Sequence, residues 1–285
     1  MHWRHATGTL SLDRPRILGI VNVTPDSFSD GGRLASIDDA RRHVDRLVEE
    51  GADIIDIGGE STRPQNAVAV DTDEELRRVL PVVAAVVRDH PEHPISVDTV
   101  KSCIAKEALA AGASIVNDVS GFRLDAEMPA VCARAGAGVV LMHSRGDVHD
   151  MATFVHATYG DDVVGAIIAE LDACVDVARD AGIVDACIVI DPGIGFSKRG
   201  EHSIAVLGQL ARVLALGHPV LIGASRKRFI GEITAVASPA ARVAGTIGAN
   251  VAALDRGARL FRVHDVKPSR EALDVAWAIH QSESP

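Results

Sequence analysis

Ile17-Leu-Gly-Ile-Val21 is an unbroken apolar run, and Asn22 closes it with a polar side chain. A strand buried on both faces reads this way, because neither face meets water. The pattern recurs seven more times. Asp53-Ile-Ile-Asp-Ile-Gly-Gly-Glu-Ser61 leads to Thr62, Pro94-Ile-Ser-Val97 to Asp98, and Ser114-Ile-Val116 to Asn117. Val139-Val-Leu-Met142 leads to His143, Cys187-Ile-Val-Ile190 to Asp191, Pro219-Val-Leu-Ile-Gly-Ala-Ser225 to Arg226 and Lys227, and Leu260-Phe-Arg-Val263 to His264. Helix-length stretches separate the runs. Eight such units predict an α/β fold, a single (β/α)8 TIM barrel, whose active site lies at the carboxyl ends of its strands. The polar residues that end the runs are thereby expected around one pocket.

The 285 residues suit one barrel with modest loops, and nothing Pro/Ser-rich or of low complexity marks a linker. Residues 1–15 are polar, broken by Gly8 and Pro15, and are expected as a short hairpin closing the barrel floor; residues 16–285 form the barrel. Apolar residues make up 47% of the chain and aromatics 3%, so the core must be built from Ala, Val, Ile and Leu. A net charge of −10 carries no basic footprint for nucleic acid. Cys103, Cys132, Cys174 and Cys187 form no close CxxC pair and are expected as small buried hydrophobes. No apolar run reaches membrane-spanning length and the N-terminus lacks a secretory apolar segment, so a cytoplasmic protein is expected.

Strands are expected near 17–22, 53–58 and 259–263. Ser36 is expected to cap the first barrel helix, and Thr72, with Glu75 three residues on, the second. The helix near 161–181 is expected to be the longest, with Val164, Ile167, Ile168, Leu171, Val175 and Val177 spaced for burial. Long loops follow strands one and two, where lids and binding loops are common; later loops are expected to be short.

The strand-tip residues carry the chemistry. Asp98 can accept two hydrogen bonds from an amino-amidine edge such as that of a pterin or guanine; alternatively it caps the next helix. Asn117 can both donate and accept on one heterocycle edge, and Asp191 can take the complementary donors. Singly, these and Asp118 are also turn formers. Ser225-Arg-Lys-Arg228 opens the helix after strand seven, where barrels often bind phosphate; Lys227 can instead stack along and hydrogen-bond a heterocycle, or the run can be a solvated charge cluster. Arg262 and His264 fall on one side of strand eight and can grip a diphosphate, or Arg262 can form a buried pair with an Asp. The Asn22 amide oxygen, followed by Thr24-Pro-Asp26, is an acceptable Mg2+ ligand. Thr62 and Arg63 add a hydroxyl and a cation. His143 reads equally as a core histidine or a ligand. The chain lacks a G-x-G-x-x-G fingerprint, a G-x-S-x-G elbow and an H-E-x-x-H helix, so hydride transfer, serine hydrolysis and zinc proteolysis lose support.

Taken together, Asn22-Val-Thr-Pro-Asp-Ser-Phe-Ser-Asp-Gly-Gly32, Gly58-Gly-Glu-Ser-Thr-Arg-Pro64, Asp98-Thr99, Asn117-Asp118, Asp191-Pro-Gly-Ile-Gly-Phe-Ser-Lys198, Ser225-Arg-Lys227 and Arg262-Val-His-Asp265 resemble, in order, the dihydropteroate synthase family over about residues 16–275. The resemblance implies a transferase of folate biosynthesis. It would condense 6-hydroxymethyl-7,8-dihydropterin diphosphate with p-aminobenzoate to give 7,8-dihydropteroate and pyrophosphate. It implies pterin binding by Asp98, Asn117, Asp191 and Lys227, diphosphate contacts by Thr62, Arg63, Arg262 and His264, and Mg2+ at Asn22. Phe28 and Pro64 would wall the p-aminobenzoate site, with Arg228 beside its carboxylate. Asp98, Lys227 and Arg262 would carry catalysis, Asp98 by stabilising a pterin cation formed as diphosphate departs. Sulfonamides would compete with p-aminobenzoate, and a homodimer through outer helices is implied. The sequence departs from the family's commonest pattern at Gln65, Ser144 and Arg228. Two other readings are a pterin-binding methyltransferase-type barrel, which should need neither the Ser225-Arg-Lys227 run nor the Phe28 loop, and a non-catalytic pterin-binding paralogue, which should have lost Asn22, Thr62-Arg63 or Arg262.

Overall fold

The computed structural model describes residues 1–23, 35–60 and 70–282. A hairpin of β1 (His2–His5) and β2 (Gly8–Ser11) precedes eight parallel strands: β3 (Arg16–Asn22), β4 (Ile54–Gly58), β5 (Ile95–Asp98), β6 (Ile115–Asp118), β7 (Gly138–Met142), β8 (Ile188–Asp191), β9 (Leu221–Ile222) and β10 (Leu260–Val263). Their order is β8-β7-β6-β5-β4-β3-β10-β9, and a parallel bridge between Ile190 and Val220 joins the two ends. The helices between strands are α1 (Ala35–Glu49), α2 (Thr72–Asp89), α3 (Ser102–Ala110), α4 (Met128–Ala135), α5 (Val163–Asp180), α6 (Gly200–Gly208), α7 (Leu210–Leu214), α8 (Arg228–Thr234) and α9 (Val243–Asp255); α10 (Val266–Ser282) follows β10. The (β/α)8 barrel expected from the eight runs is the fold found.

Strand periodicity explains how the barrel positions its site. Leu18, Ile54, Ile115, Val140, Val189, Leu221 and Leu260 form one buried cluster inside the barrel, sealed from below by Trp3 and Leu12. Trp3 is fully buried, and its indole N–H donates to the Cys187 carbonyl at 2.9 Å. The alternate residues, among them Ile55, Ile57, Val97, Val116, Val139, Leu141, Ile190 and Val263, pack outward in the larger core with the helices. Side chains two residues beyond the inner apolar layer point inward again. That step brings Asp56, Asn117, Asp191 and Arg262 into the barrel above its apolar floor, and the following tips carry Asn22, Asp98 and His264 to the mouth.

Several local expectations need correction. Asp71, not Thr72, caps α2, accepting from the Asp73 N–H at 3.0 Å. Glu75 makes no capping box; its carboxylate is fully buried and takes the Thr99 hydroxyl and Lys101 ammonium instead. Ser36 lies within α1, which begins at Ala35. The α5 helix has 18 residues, the same as α2, so it is not the longest. Val177 on it is 46% exposed rather than buried. A third long connection, residues 143–162, follows β7. Cys103 is exposed, while the other three cysteines are buried and all four are free. Among the described residues no helix is long and apolar enough to cross a membrane.

Candidate active site

One cavity of about 750 Å3 opens at the carboxyl ends of the strands, and Asn22, Asp98, Asn117, Asp191, Lys227, Arg228, Arg262 and His264 all line it. Phe28, Thr62, Arg63, Pro64 and Gln65 lie outside the described residues, as does Thr24-Pro-Asp26.

Asp98 ends β5 next to Gly58 of β4. Burial pushes its carboxyl up to about 7; Asp56, Glu75 and Asp118 add to the shift and Arg262 opposes it. Asn117, nearly fully buried, pairs in register with Asp98 and donates from Nδ2 to Asp56 Oδ2 at 3.4 Å. Asp118 points elsewhere and is the turn former of the pair, accepting from Ser120 N (2.7 Å), Ser120 Oγ (2.6 Å) and Phe122 N (3.2 Å). Asp191 does both jobs. Its Oδ1 takes the Gly193 N–H at 2.7 Å while it lines the cavity, and burial raises it to about 6. That turn requires glycine at 193: φ is +68°, and a Cβ would sit 1.9 Å from the His143 carbonyl oxygen.

The basic run after β9 divides by role. Arg226, at φ +59°, pairs with Asp265 at 2.6 Å at the edge of the cavity. Lys227 lines the cavity, with its ammonium 3.8 Å from the Phe196 ring centre, and immediately precedes α8 as its N-cap residue. The half-exposed Arg228 guanidinium lies 3.8 Å over Phe154 and 3.9 Å from Glu232. His264 is oriented by Ser225, whose Oγ is 3.0 Å from Nδ1 and 3.2 Å from the His264 backbone N–H. Arg262 is held by two carboxylates, Nε to Asp56 Oδ2 and Nη2 to Asp98 Oδ2, each at 2.6 Å. Its guanidinium is thus both a cavity wall and part of a buried Arg–Asp pair.

His143 is a core residue that does not line the cavity. Its Nδ1 accepts from Lys198 Nζ at 2.8 Å and its Nε2 lies 3.0 Å from Glu170. Burial first, then Lys198, lowers it to about 4. Ser144 is likewise internal, donating to the Val119 carbonyl at 2.7 Å.

Three features were missed by reading the strand tips alone. Asp56 lies one layer below the tip, within the run, and is wholly buried. Lys198 is nearly fully buried at the cavity wall; burial lowers its ammonium to about 7. Lys101 gathers Glu75 Oε2 (2.6 Å), the Val70 carbonyl (2.7 Å) and Glu60 Oε2 (3.3 Å), while Glu60 Oε1 accepts from Val70 N at 2.8 Å. A charged residue inside an apolar strand run was the signal available for Asp56.

The arrangement can hold a flat, nitrogen-rich ring on Asp98, Asn117 and Asp191 and place an anion by Arg262 and His264. Comparison with known proteins agrees. Residues 18–264 match the family described as "Pterin binding enzyme". A dihydropteroate synthase from a Synechocystis strain is 43% identical over 266 residues, spanning 93% of this chain and 90% of that protein. The structure of Xanthomonas albilineans dihydropteroate synthase with 4-aminobenzoic acid matches with a TM-score of 0.89 and 46% identity, covering 97% of this chain and 96% of that one. The Yersinia pestis enzyme in a sulfonamide drug complex matches with a TM-score of 0.90 and 38% identity, covering 99% and 100%. The cavity, its polar strand tips and these likenesses converge, and the chain belongs to the dihydropteroate synthase family of pterin-binding enzymes.

Proposed function

We infer that this barrel condenses 6-hydroxymethyl-7,8-dihydropterin diphosphate with p-aminobenzoate, releasing pyrophosphate and 7,8-dihydropteroate for folate synthesis. The observation that carries this is the convergence of Asp98, Asn117 and Asp191 on one cavity that Lys227 and Arg262 also line. Donors on the pterin amino-amidine edge match the acceptors of the two carboxylates, and Asn117 supplies either role. Lys227 reaches over the ring plane. As the carbon–oxygen bond to diphosphate breaks, positive charge grows on the pterin, where Asp98 stabilises it. Arg262 and His264 face the departing anion. The arylamine nitrogen then forms the new carbon–nitrogen bond and loses a proton. Thr62, Arg63, Phe28 and Pro64 complete the diphosphate and p-aminobenzoate contacts in this reading.

Magnesium belongs to the same reading. Among the described residues no group of three or more His, Cys, Asp or Glu side chains is placed to hold a metal. Asn22 at the cavity offers a single neutral amide oxygen. One such donor fits a Mg2+ whose shell is mostly water and substrate phosphate oxygens. Bound there, the ion would supply positive charge to the leaving diphosphate. A cytoplasmic homodimer through the outer helices completes the proposal, supported by family resemblance.

Purified protein given the pterin diphosphate, p-aminobenzoate and millimolar Mg2+ is expected to form dihydropteroate and pyrophosphate in equal amounts. A folded preparation that forms neither would overturn this reading, and methyl transfer from methyltetrahydrofolate to a corrinoid would then separate the methyltransferase from the non-catalytic paralogue. In this reading sulfonamides compete with p-aminobenzoate for one site, and similar synthases have been solved with 4-aminobenzoic acid and with a sulfonamide drug. Arg228 lines the cavity but is half-exposed, so Arg228→Ser is expected to change the KM for p-aminobenzoate by no more than about fivefold, the equivalent of about 1 kcal/mol. A larger rise would make Arg228 a principal carboxylate ligand.

The pH profile has a defined sign. Asp98 is raised to about 7 and Asp191 to about 6 in the ligand-free protein. Both must be ionised to accept from the pterin, so kcat/KM is expected to fall as pH drops through that range. The limb in kcat should lie at lower pH, because bound donors favour the carboxylates. A kcat/KM that stays flat from pH 8 to 5 would contradict these assignments.

A further inference from the structure

Among the described residues, Asp56 is a carboxylate inside the barrel that does not line the cavity yet touches two residues that do, Arg262 and Asn117. Its Oδ2 receives Arg262 Nε at 2.6 Å and Asn117 Nδ2 at 3.4 Å. Its Oδ1 is buried without a hydrogen-bond partner among the described residues, as is the Oγ of Ser96, its register partner on β5. Burying a carboxylate this incompletely is costly, and nothing in barrel packing asks for it, since the layer below is wholly apolar.

The geometry of Arg262 shows what the charge does. A guanidinium frequently engages one carboxylate by two parallel bonds. Here the fork is split, with Nε taken by Asp56 and Nη2 by Asp98. One positive charge is therefore shared by two negative ones, and the surplus negative charge reaches the cavity through Asp98. We propose that Asp56 is a positioning residue for the reaction: it holds the Nε edge of Arg262, so that the guanidinium grips Asp98 at one point only and leaves Asp98 its negative charge for the pterin. The part concerning the pterin rests on the function inferred above.

The charged groups that bear on Asp98 are Arg262 from β10, Asp56 from β4, Glu75 from α2 and Asp118 from β6, with Asp191 and Lys227 across the cavity. Asp56 is among those that raise Asp98 and Arg262 the one that lowers it most. Removing the Asp56 charge frees Arg262 to neutralise Asp98 more fully, and both changes lower the Asp98 pKa.

The test is Asp56→Asn, which keeps shape and an acceptor but no charge. Carbon-13 NMR of the ligand-free protein reads the Asp98 carboxyl directly, so it tests the geometry even if the inferred reaction is wrong. Its midpoint is expected to fall by about one pH unit. In the assay, kcat at pH 8 is expected to fall about tenfold or more, with the KM for p-aminobenzoate within twofold and the acid limb of kcat/KM shifted down with the NMR midpoint. Asp56→Ser serves the same purpose if Asp56→Asn does not fold. An Asp98 midpoint unchanged from wild type would overturn the proposal. A shifted midpoint with wild-type kcat would overturn its catalytic part, and a lowered melting temperature alone would leave Asp56 purely structural.

Discussion

Asp98→Asn is expected to leave the barrel intact and lower kcat by about 10²–10³, the usual cost of one preorganised electrostatic stabiliser. The side chain sits at a strand tip and contacts Arg262 at 2.6 Å, and the amide is the same size, so little repacking follows. What is lost is charge, and charge matters most when the pterin becomes cationic. The effect should therefore fall on kcat more than on the KM for p-aminobenzoate. Steady-state kinetics beside a thermal melt separates the two. A kcat within about threefold of wild type would leave Asp98 as a helix cap or bystander.

Arg262→Ala is expected to damage both fold and function. It removes the cation shared by Asp56 and Asp98 and leaves two carboxylates close together inside the barrel. Breaking a buried pair in this way typically costs about 3–5 kcal/mol. The cost should ease in acid, because a carboxyl already raised to about 7 takes up a proton instead of standing as an unpaired charge. Denaturant midpoints at pH 8 and pH 6 would show the variant closer to wild type at the lower pH. Pyrophosphate affinity should also fall. A loss below about 1 kcal/mol at pH 8 would mean that the pair is solvated as surface pairs are.

The strands and their tips were legible because two simple regularities agree. Continuous apolar runs mark strands buried on both faces, and the period of two fixes which side chains face inward. Asn22, Asp98, Asn117, Asp191, Lys227, Arg262 and His264 were found that way. Asp56 was passed over because a strand-tip rule looks past the interior of a run, and its partner Arg262 is 206 residues away. Lys198 and His143 are 55 residues apart, so neither sequence environment reveals that one satisfies the other. Asp71 and Thr72 are neighbouring cap formers, and the backbone chose the carboxylate. The long 143–162 connection holds buried Met151 and Tyr159, whose apolar character disguised a loop. In each case the missing term was a tertiary partner, which local pattern does not encode.

In the inferred reaction the pterin ring itself lies on the strand-tip carboxylates. Calorimetric titration of 6-hydroxymethylpterin, without diphosphate, p-aminobenzoate or metal, tests it most directly when wild type is set beside Asp191→Asn at pH 8. Wild type is expected to bind, and the variant at least about tenfold more weakly with an unchanged melting temperature, because a buried acceptor matched to ring donors has been replaced by an amide. Equal affinity in the two proteins would contradict the placement of the pterin and, with it, the assignment of this cavity.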